Sequence, residues 1–262
     1  MLGRILDHKR REVEVRAAQR PLAEVIRAAR EAGPARDFPG ALRRGGGPVR
    51  IIAELKKASP SRGLLCPVFS PEGLARAYTA GGASALSVLT DREFFRGSLD
   101  YLARARAVSS LPVLQKDFIL GPYQVFEGRA AGADAVLLIV AALEPSLLRE
   151  CLAVARELDM GALVEVHTEA ELEAALAAGA EAVGVNNRDL NTFRVDLSVT
   201  ERLTKLIPRG VVVVAESGVR SREEVMRLAA CRVDALLVGE ALVRAADAAA
   251  KLRELLGSEA EA

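Results

Sequence analysis

The chain contains no tryptophan, and aromatic residues make up 4% of its 262 positions. Any clustering of phenylalanine therefore carries information. Cysteine is scarce as well. Cys66, Cys151 and Cys231 are odd in number, far apart and form no Cys-x-x-Cys pair. That spacing excludes a disulfide framework or thiolate zinc site and fits a reducing compartment. His8 and His167 are the only imidazoles, so a histidine-rich metal centre is excluded too. No metal and no cofactor is expected. The longest apolar run, AVLLIVAAL from Ala135 to Leu143, is too short to cross a bilayer. The N-terminus, MLGRILDHKRREVEVR, is densely charged and lacks the apolar core of a signal peptide. An excess of either charge is missing: the formal net charge is +1. General affinity for nucleic acid or anionic membrane is therefore not expected. A cytoplasmic monomer is the expectation.

Lysine is the last scarcity. Lys and Arg total 36, yet the lysines are only Lys9, Lys56, Lys57, Lys116, Lys205 and Lys251. Where lysine persists in so arginine-rich a chain, a requirement for a compact amine becomes plausible. Lys56, Lys57 and Lys116 fall within two short segments.

What is present is hydrophobic and periodic. Half the residues are hydrophobic, enough for one large core. Four segments resemble one another: AGGASALSVL from Ala80, AAGADAVLLIV from Ala130, AAGAEAVGVN from Ala177 and the looser AACRVDALLVG from Ala229. Each reads as a helix end, a short turn and a buried strand, with glycine in three of the four turns. Between them lie strands that do not share this pattern, namely VRIIAEL from Val49, LPVLQK from Leu111, ALVEV from Ala162 and VVVVAES from Val211. Helical patterns such as PEGLARAYTA, TEAELEAALAA and SREEVMRLAA fill most gaps. Eight strands alternating with helices give an α/β fold, a (β/α)8 TIM barrel. An open doubly wound sheet competes, but its usual Gly-x-Gly-x-x-Gly turn after the first strand is missing. Residues 1–46 read as an N-terminal extension of a single domain spanning 1–262, with one amphipathic helix, PLAEVIRAAREAG, packed on the barrel.

Polar residues gather at the carboxyl ends of the strands, the reactive face of such barrels. Strand one ends in Glu54, Lys56 and Lys57, and strand three in Lys116 and Asp117. Strand five carries Glu165 and runs into His167. Strand six reaches Asn186, Asn187, Arg188 and Asp189. Strand seven ends in Glu216, Ser217 and Gly218, and strand eight in Gly239 and Glu240. A polar strand end is often just the point where the chain meets water. Six such ends of eight, with acids, amines and amides represented, weaken that explanation. Alternation sends Lys56 inward with Glu54 and Lys57 towards the helices. Asp117 points away from Lys116 and orders a loop; His167, Arg188 and Asp189 read as structural.

Glycines after strands seven and eight, Gly218 and Gly239, let backbone N–H groups approach an anion, and loops seven and eight are a common phosphate site in these barrels. Glu240 would have to offer only its backbone N–H and turn its carboxylate aside. Phe94 and Phe95 follow strand two and Phe118 follows strand three. Their concentration at one rim suggests an apolar portion of substrate, although packing under a loop explains any one of them as well.

The segments IIAELKKASPSRG, LPVLQKDFI, LVEVHTEAEL, GVNNRDLNTF and VAESGV closely resemble the indole-3-glycerol-phosphate synthase family, and the resemblance extends over essentially the whole chain. It implies ring closure of 1-(2-carboxyphenylamino)-1-deoxyribulose 5-phosphate with loss of CO2 and water, in tryptophan biosynthesis, without cofactor. By resemblance Lys116 is the general acid on the ketose carbonyl, and Glu165 handles protons in closure and dehydration. Glu54 assists, and Lys56 meets an anionic group of the substrate, here taken as its phosphate. Asn186, Ser217 and Ser59 match polar family positions; Gly218, Gly239 and Glu240 match the phosphate turns. Which of Lys56 and Lys116 protonates the departing hydroxyl stays open. Two rivals stand beside this reading: another phosphosugar barrel, such as an isomerase or a Schiff-base aldolase using Lys116, and a non-catalytic metabolite binder.

Overall fold

Each repeated segment builds the same joint. Helices Pro71–Ala80, Pro122–Ala130, Glu169–Ala177 and Arg222–Ala229 end within it, and a buried strand follows. In the turn, Gly82, Gly132 and Gly179 have φ of +90°, +95° and +84°. That left-handed region is costly for a residue with a Cβ. The fourth repeat lacks the glycine, and Arg232 takes the conformation instead, at φ +59°. Its guanidinium donates to the carbonyls of Ile207 and Pro208, which offsets part of the strain.

The computed structural model describes residues 1–189 and 192–258. Leu190 and Asn191 of the GVNNRDLNTF segment lie outside the described residues. Eight parallel strands form one closed barrel: β1 (Arg50–Leu55), β2 (Ala85–Leu89), β3 (Val113–Lys116), β4 (Ala135–Ile139), β5 (Gly161–Val166), β6 (Ala182–Asn186), β7 (Val212–Glu216) and β8 (Ala235–Val238). Each strand pairs with the next in sequence, and β8 closes on β1 through Arg50–Ala235 to Ala53–Val238. The expected (β/α)8 arrangement is the one observed. No helix among the described residues is long and apolar enough to cross a membrane.

Alternation divides the strands into two cores. Ile52, Leu114, Leu137, Leu163, Val214 and Leu237 point into the barrel, while Ile51, Val88, Val136, Val164, Val213 and Leu236 face the surrounding helices. The amino-terminal mouth is plugged from below. There Phe38 and Leu42, fully buried, join the barrel-interior cluster. Gly161 at the start of β5 leaves room for them: a Cβ there would meet Phe38 Cβ at 3.1 Å.

The extension forms α1 (Leu2–Gln19), α2 (Leu22–Glu31) and α3 (Phe38–Leu42). The segment read as one amphipathic helix is α2. The charged segment before it is a longer helix, α1, which the sequence pattern did not reveal. Its buried residues are only Ile5, Leu6 and Lys9. A lysine stands where the next apolar residue of the stripe would be, so the 3.6-residue pattern breaks after one turn.

Candidate active site

Counting by twos from the apolar interior positions carries each strand to its upper end. Ile52 leads to Glu54, Leu114 to Lys116, Leu163 to Glu165, Ala182 to Asn186, and Val214 to Glu216. Register places Asn186 beside Glu216 and Glu165 beside Gly184. The barrel thus gathers three buried carboxylates and a buried amide in one layer around the half-buried ammonium of Lys116. Lys116 Nζ lies 3.0 Å from Glu165 Oε2 and 3.1 Å from Glu216 Oε2. Asn186 Nδ2 donates to the other oxygen of Glu165 at 3.0 Å. Lys56 Nζ pairs with Glu54.

Two glycines seat these carboxylates. A Cβ on Gly184 would collide with Glu216 Oε1, and one on Gly239 with Glu54 Oε1. Gly239, expected as a phosphate turn, therefore has a second task in making room for Glu54. Ser217 and Gly218 both have positive φ, +66° and +98°. The serine sits there at a cost of about 1 kcal/mol or more, and this conformation brings the β7 turn over the cavity.

The charges are unequal in their settings. Burial alone would lower the Lys116 pKa, but Glu165, Glu216 and Glu54 overcome it and hold the ammonium above the ordinary lysine value. Burial would raise Glu165, yet Lys116, His167 and the amide of Asn186 bring it below the usual carboxylate range. Glu216 goes the other way. Burial, opposed by Lys116 and reinforced by Glu165 and Glu54, lifts it to about 7. Two carboxylates around one amine are thus pushed apart, one kept ionised and the other poised to gain or lose a proton near neutrality.

One cavity lies above this layer. Glu54, Lys56, Ser59, Lys116, Glu165 and Asn186 line it, with Ser217, Gly218, Gly239 and Glu240 on the β7–β8 side. Phe95 and Phe118 form an apolar wall, their ring centroids 6.1 Å apart. Phe94 does not line it. Consecutive residues of the short helix Arg92–Phe95 point roughly 100° apart, and Phe94 turns to meet the His8 ring edge-on at 5.7 Å. The Glu240 carboxylate is drawn to Arg62 and Arg244, at 3.3 and 3.4 Å. Asp117, as expected, faces away from Lys116 and is buried among Thr90, Lys9 and its own loop. His167 Nδ1 lies 3.1 Å from Glu171, while Nε2 is 3.4 Å from Glu165, so its structural place also supports the ionised glutamate.

Sequence reasoning left Glu216 and the start of the chain unassigned and read Arg188 as structural alone. Glu216 was visible as a polar strand end, and counting by twos from Val212 would have turned it inward. Arg188 lines the cavity while also holding its loop through the carbonyl of Phe193; parity from Asn186 carried that signal. Met1 and, from α1, Leu2 and Ile5 complete the wall, and no local pattern announced them. Among the described residues no cluster of His, Cys, Asp and Glu could hold a metal ion.

The chain as a whole has known relatives. A family model described as indole-3-glycerol phosphate synthase matches residues 2–255. The indole-3-glycerol phosphate synthase of Dehalococcoides mccartyi is 49% identical over 259 residues, covering 98% of this chain and 100% of the relative. That of Roseiflexus sp. is 51% identical over 265 residues, covering 98% of each. Among solved structures, 3-hexulose-6-phosphate synthase from Salmonella typhimurium superimposes with a TM-score of 0.65 at 17% identity, covering 80% of this chain and 98% of that one, which speaks to the fold alone. By sequence over nearly its entire length, this chain belongs to the indole-3-glycerol phosphate synthase family.

Proposed function

We infer that the chain closes 1-(2-carboxyphenylamino)-1-deoxyribulose 5-phosphate to indole-3-glycerol phosphate, releasing CO2 and water. The observation that carries this reading beyond family membership is the half-buried Lys116 held between the buried Glu165 and Glu216 beneath an apolar wall. In the first step the ring carbon bearing the carboxylate attacks the ketose carbonyl. A C–C bond forms, and the carbonyl oxygen takes the Lys116 proton as it becomes a hydroxyl. Loss of CO2 returns an electron pair to the ring. The new hydroxyl then takes a second proton, from Lys56 or from reprotonated Lys116, and leaves as water, and a proton departs from the carbon beside nitrogen to complete the pyrrole. Glu165, kept ionised, is suited to accept that proton. Glu216, near 7, is suited to return one to Lys116.

The raised Lys116 pKa argues against a Schiff-base aldolase, which needs a neutral amine. A pure binder would not need a carboxylate pair with separated pKa values. The phosphate is assigned to the backbone around Gly218, Gly239 and Glu240, with Lys56 as a nearby cation; Glu240, neutralised by Arg62 and Arg244, can offer its N–H. The substrate's aryl group is assigned to Phe95 and Phe118, and Ser59, on a hairpin over β1, to its polar edge. The partner is thus a small phosphorylated molecule, and a monomer acting in the cytoplasm is the state proposed. The test is direct: purified protein and the carboxyphenylamino substrate should generate indole absorbance together with stoichiometric CO2. Phosphate-ester isomerisation without indole would overturn the assignment.

A further inference from the structure

Lys9 is the one lysine of α1, and its side chain is completely buried. Its Nζ is 2.8 Å from Asp91 Oδ2, 2.9 Å from Asp117 Oδ1 and 2.9 Å from Glu12 Oε2. An ammonium has three donors, and three carboxylates surround it. Both aspartates are themselves buried and stand next to residues of the cavity wall. Asp91 follows β2; its Oδ1 accepts from the N–H groups of Phe94 and Phe95, so it caps the helix that presents Phe95. Asp117 directly follows Lys116; it accepts from the Phe118 N–H at 2.8 Å and from Thr90 Oγ1 at 2.5 Å. One turn before Lys9 on the same helix is Ile5, which lines the cavity with Leu2.

We propose that Lys9 is a positioning residue for the apolar side of the site: by clamping Asp91 to Asp117 it fixes Phe95, Phe118 and Ile5 as one wall. The inference rests on the substrate reading above, which gives that wall an aryl group to hold. A buried ion pair is weak evidence for stability, because well-packed apolar side chains often do as well. What apolar packing cannot do is hold two aspartates from two different strand ends at a fixed separation. Without the ammonium, two buried carboxylates face each other and must separate or share a proton. Separation moves the Phe95 helix away from Phe118. Lys116 has its own partners on β5 and β7, so the reacting centre is insulated from this movement. Damage therefore belongs in substrate binding.

The test is steady-state kinetics of Lys9→Met, of Asp91→Asn, which keeps a capping side chain, and of the double variant, beside the wild type. Lys9→Met is expected to raise KM at least about tenfold while kcat stays within about threefold. Adding Asp91→Asn removes one uncompensated charge and is expected to recover a large part of the KM loss, which a general loss of packing would not do. If Lys9→Met does not fold, Asp91→Asn alone is expected to raise KM at constant kcat. Unchanged KM in the folded variants, a loss confined to kcat, or no recovery in the double variant overturns the proposal. An inactive wild type would sink the substrate assignment instead, so the two failures are distinguishable.

Discussion

Lys116 and Glu216 show how one barrel layer sets opposite demands on neighbouring groups. Lys116→Arg preserves a cation that can bridge Glu165 and Glu216, but a guanidinium scarcely gives up a proton. Lys116→Met preserves length alone. Both are expected to lower kcat by at least ~10²-fold with little change in KM, and borohydride should trap no substrate on the wild-type lysine. Rescue by arginine would mean that the residue only binds an anion. Glu216 makes a prediction about pH. Its pKa rises from 4.5 to about 7 on folding, so the folded chain holds this proton more tightly than the unfolded one. The associated stability is full below about pH 4.5 and disappears as pH rises through 7. Glu216→Gln removes the titration and keeps the shape. Its stabilising effect should therefore be larger at pH 8 than at pH 5, by roughly 1–3 kcal/mol, read from denaturant unfolding at the two pH values. An equal effect at both would show that burial does not lift this carboxyl.

Elements were legible wherever a strict period governed them. The eight strands announced themselves through apolar runs, six of them ending in polar residues, because burial on both faces leaves only the strand end for polarity. Glu54, Lys56, Lys116 and Glu165 followed from that and from parity. Phe94 was misplaced, since a loop reading gives no direction to either phenylalanine and the short capped helix separates them. The α1 helix was missed because its buried apolar contacts are confined to its start and the rest of its docking is ionic, through Lys9 and through Arg16, which pairs with Glu127 at 3.1 Å. Hydrophobic periodicity cannot report the part of a helix that is docked by charges. The repeat turns yield an element-scale prediction. Gly132 at φ +95° has Arg106 Cδ 3.3 Å from where a Cβ would stand. Gly132→Ala should therefore cost about 1–2 kcal/mol, seen as a lower denaturation midpoint with unchanged m-value. Arg232 occupies the same conformation without glycine and keeps two carbonyl partners. Arg232→Ala should destabilise by about 1 kcal/mol or more, because it loses those hydrogen bonds and retains the strain.

Across the whole molecule, nearly balanced charge hides an uneven placement of amines. Of the six lysines, Lys9, Lys56 and Lys116 converge at the carboxyl end of the barrel, while Phe38 and Leu42 seal the other end. The scarcity of lysine pointed to Lys56 and Lys116; Lys9 stayed hidden because its two aspartate partners come from elements far away in sequence. The same global view bears on metal dependence. His8 packs on Phe94, and His167 is engaged by Glu171 and Glu165. Burial pushes the Cys151 thiol up to about 12, so it supplies no thiolate at neutral pH. The carboxylates of the site are committed to Lys56 and Lys116 instead of standing open to a divalent ion. Each proton that the proposed reaction moves has a donor or acceptor among these groups. The rate of indole formation should therefore be unchanged after exhaustive EDTA treatment and dialysis. Added magnesium, manganese or zinc should give no increase. A loss restored by one of these ions would require the Glu165 and Glu216 carboxylates to release Lys116 and take up the metal, and Lys116 would then lose the setting that makes it the acid.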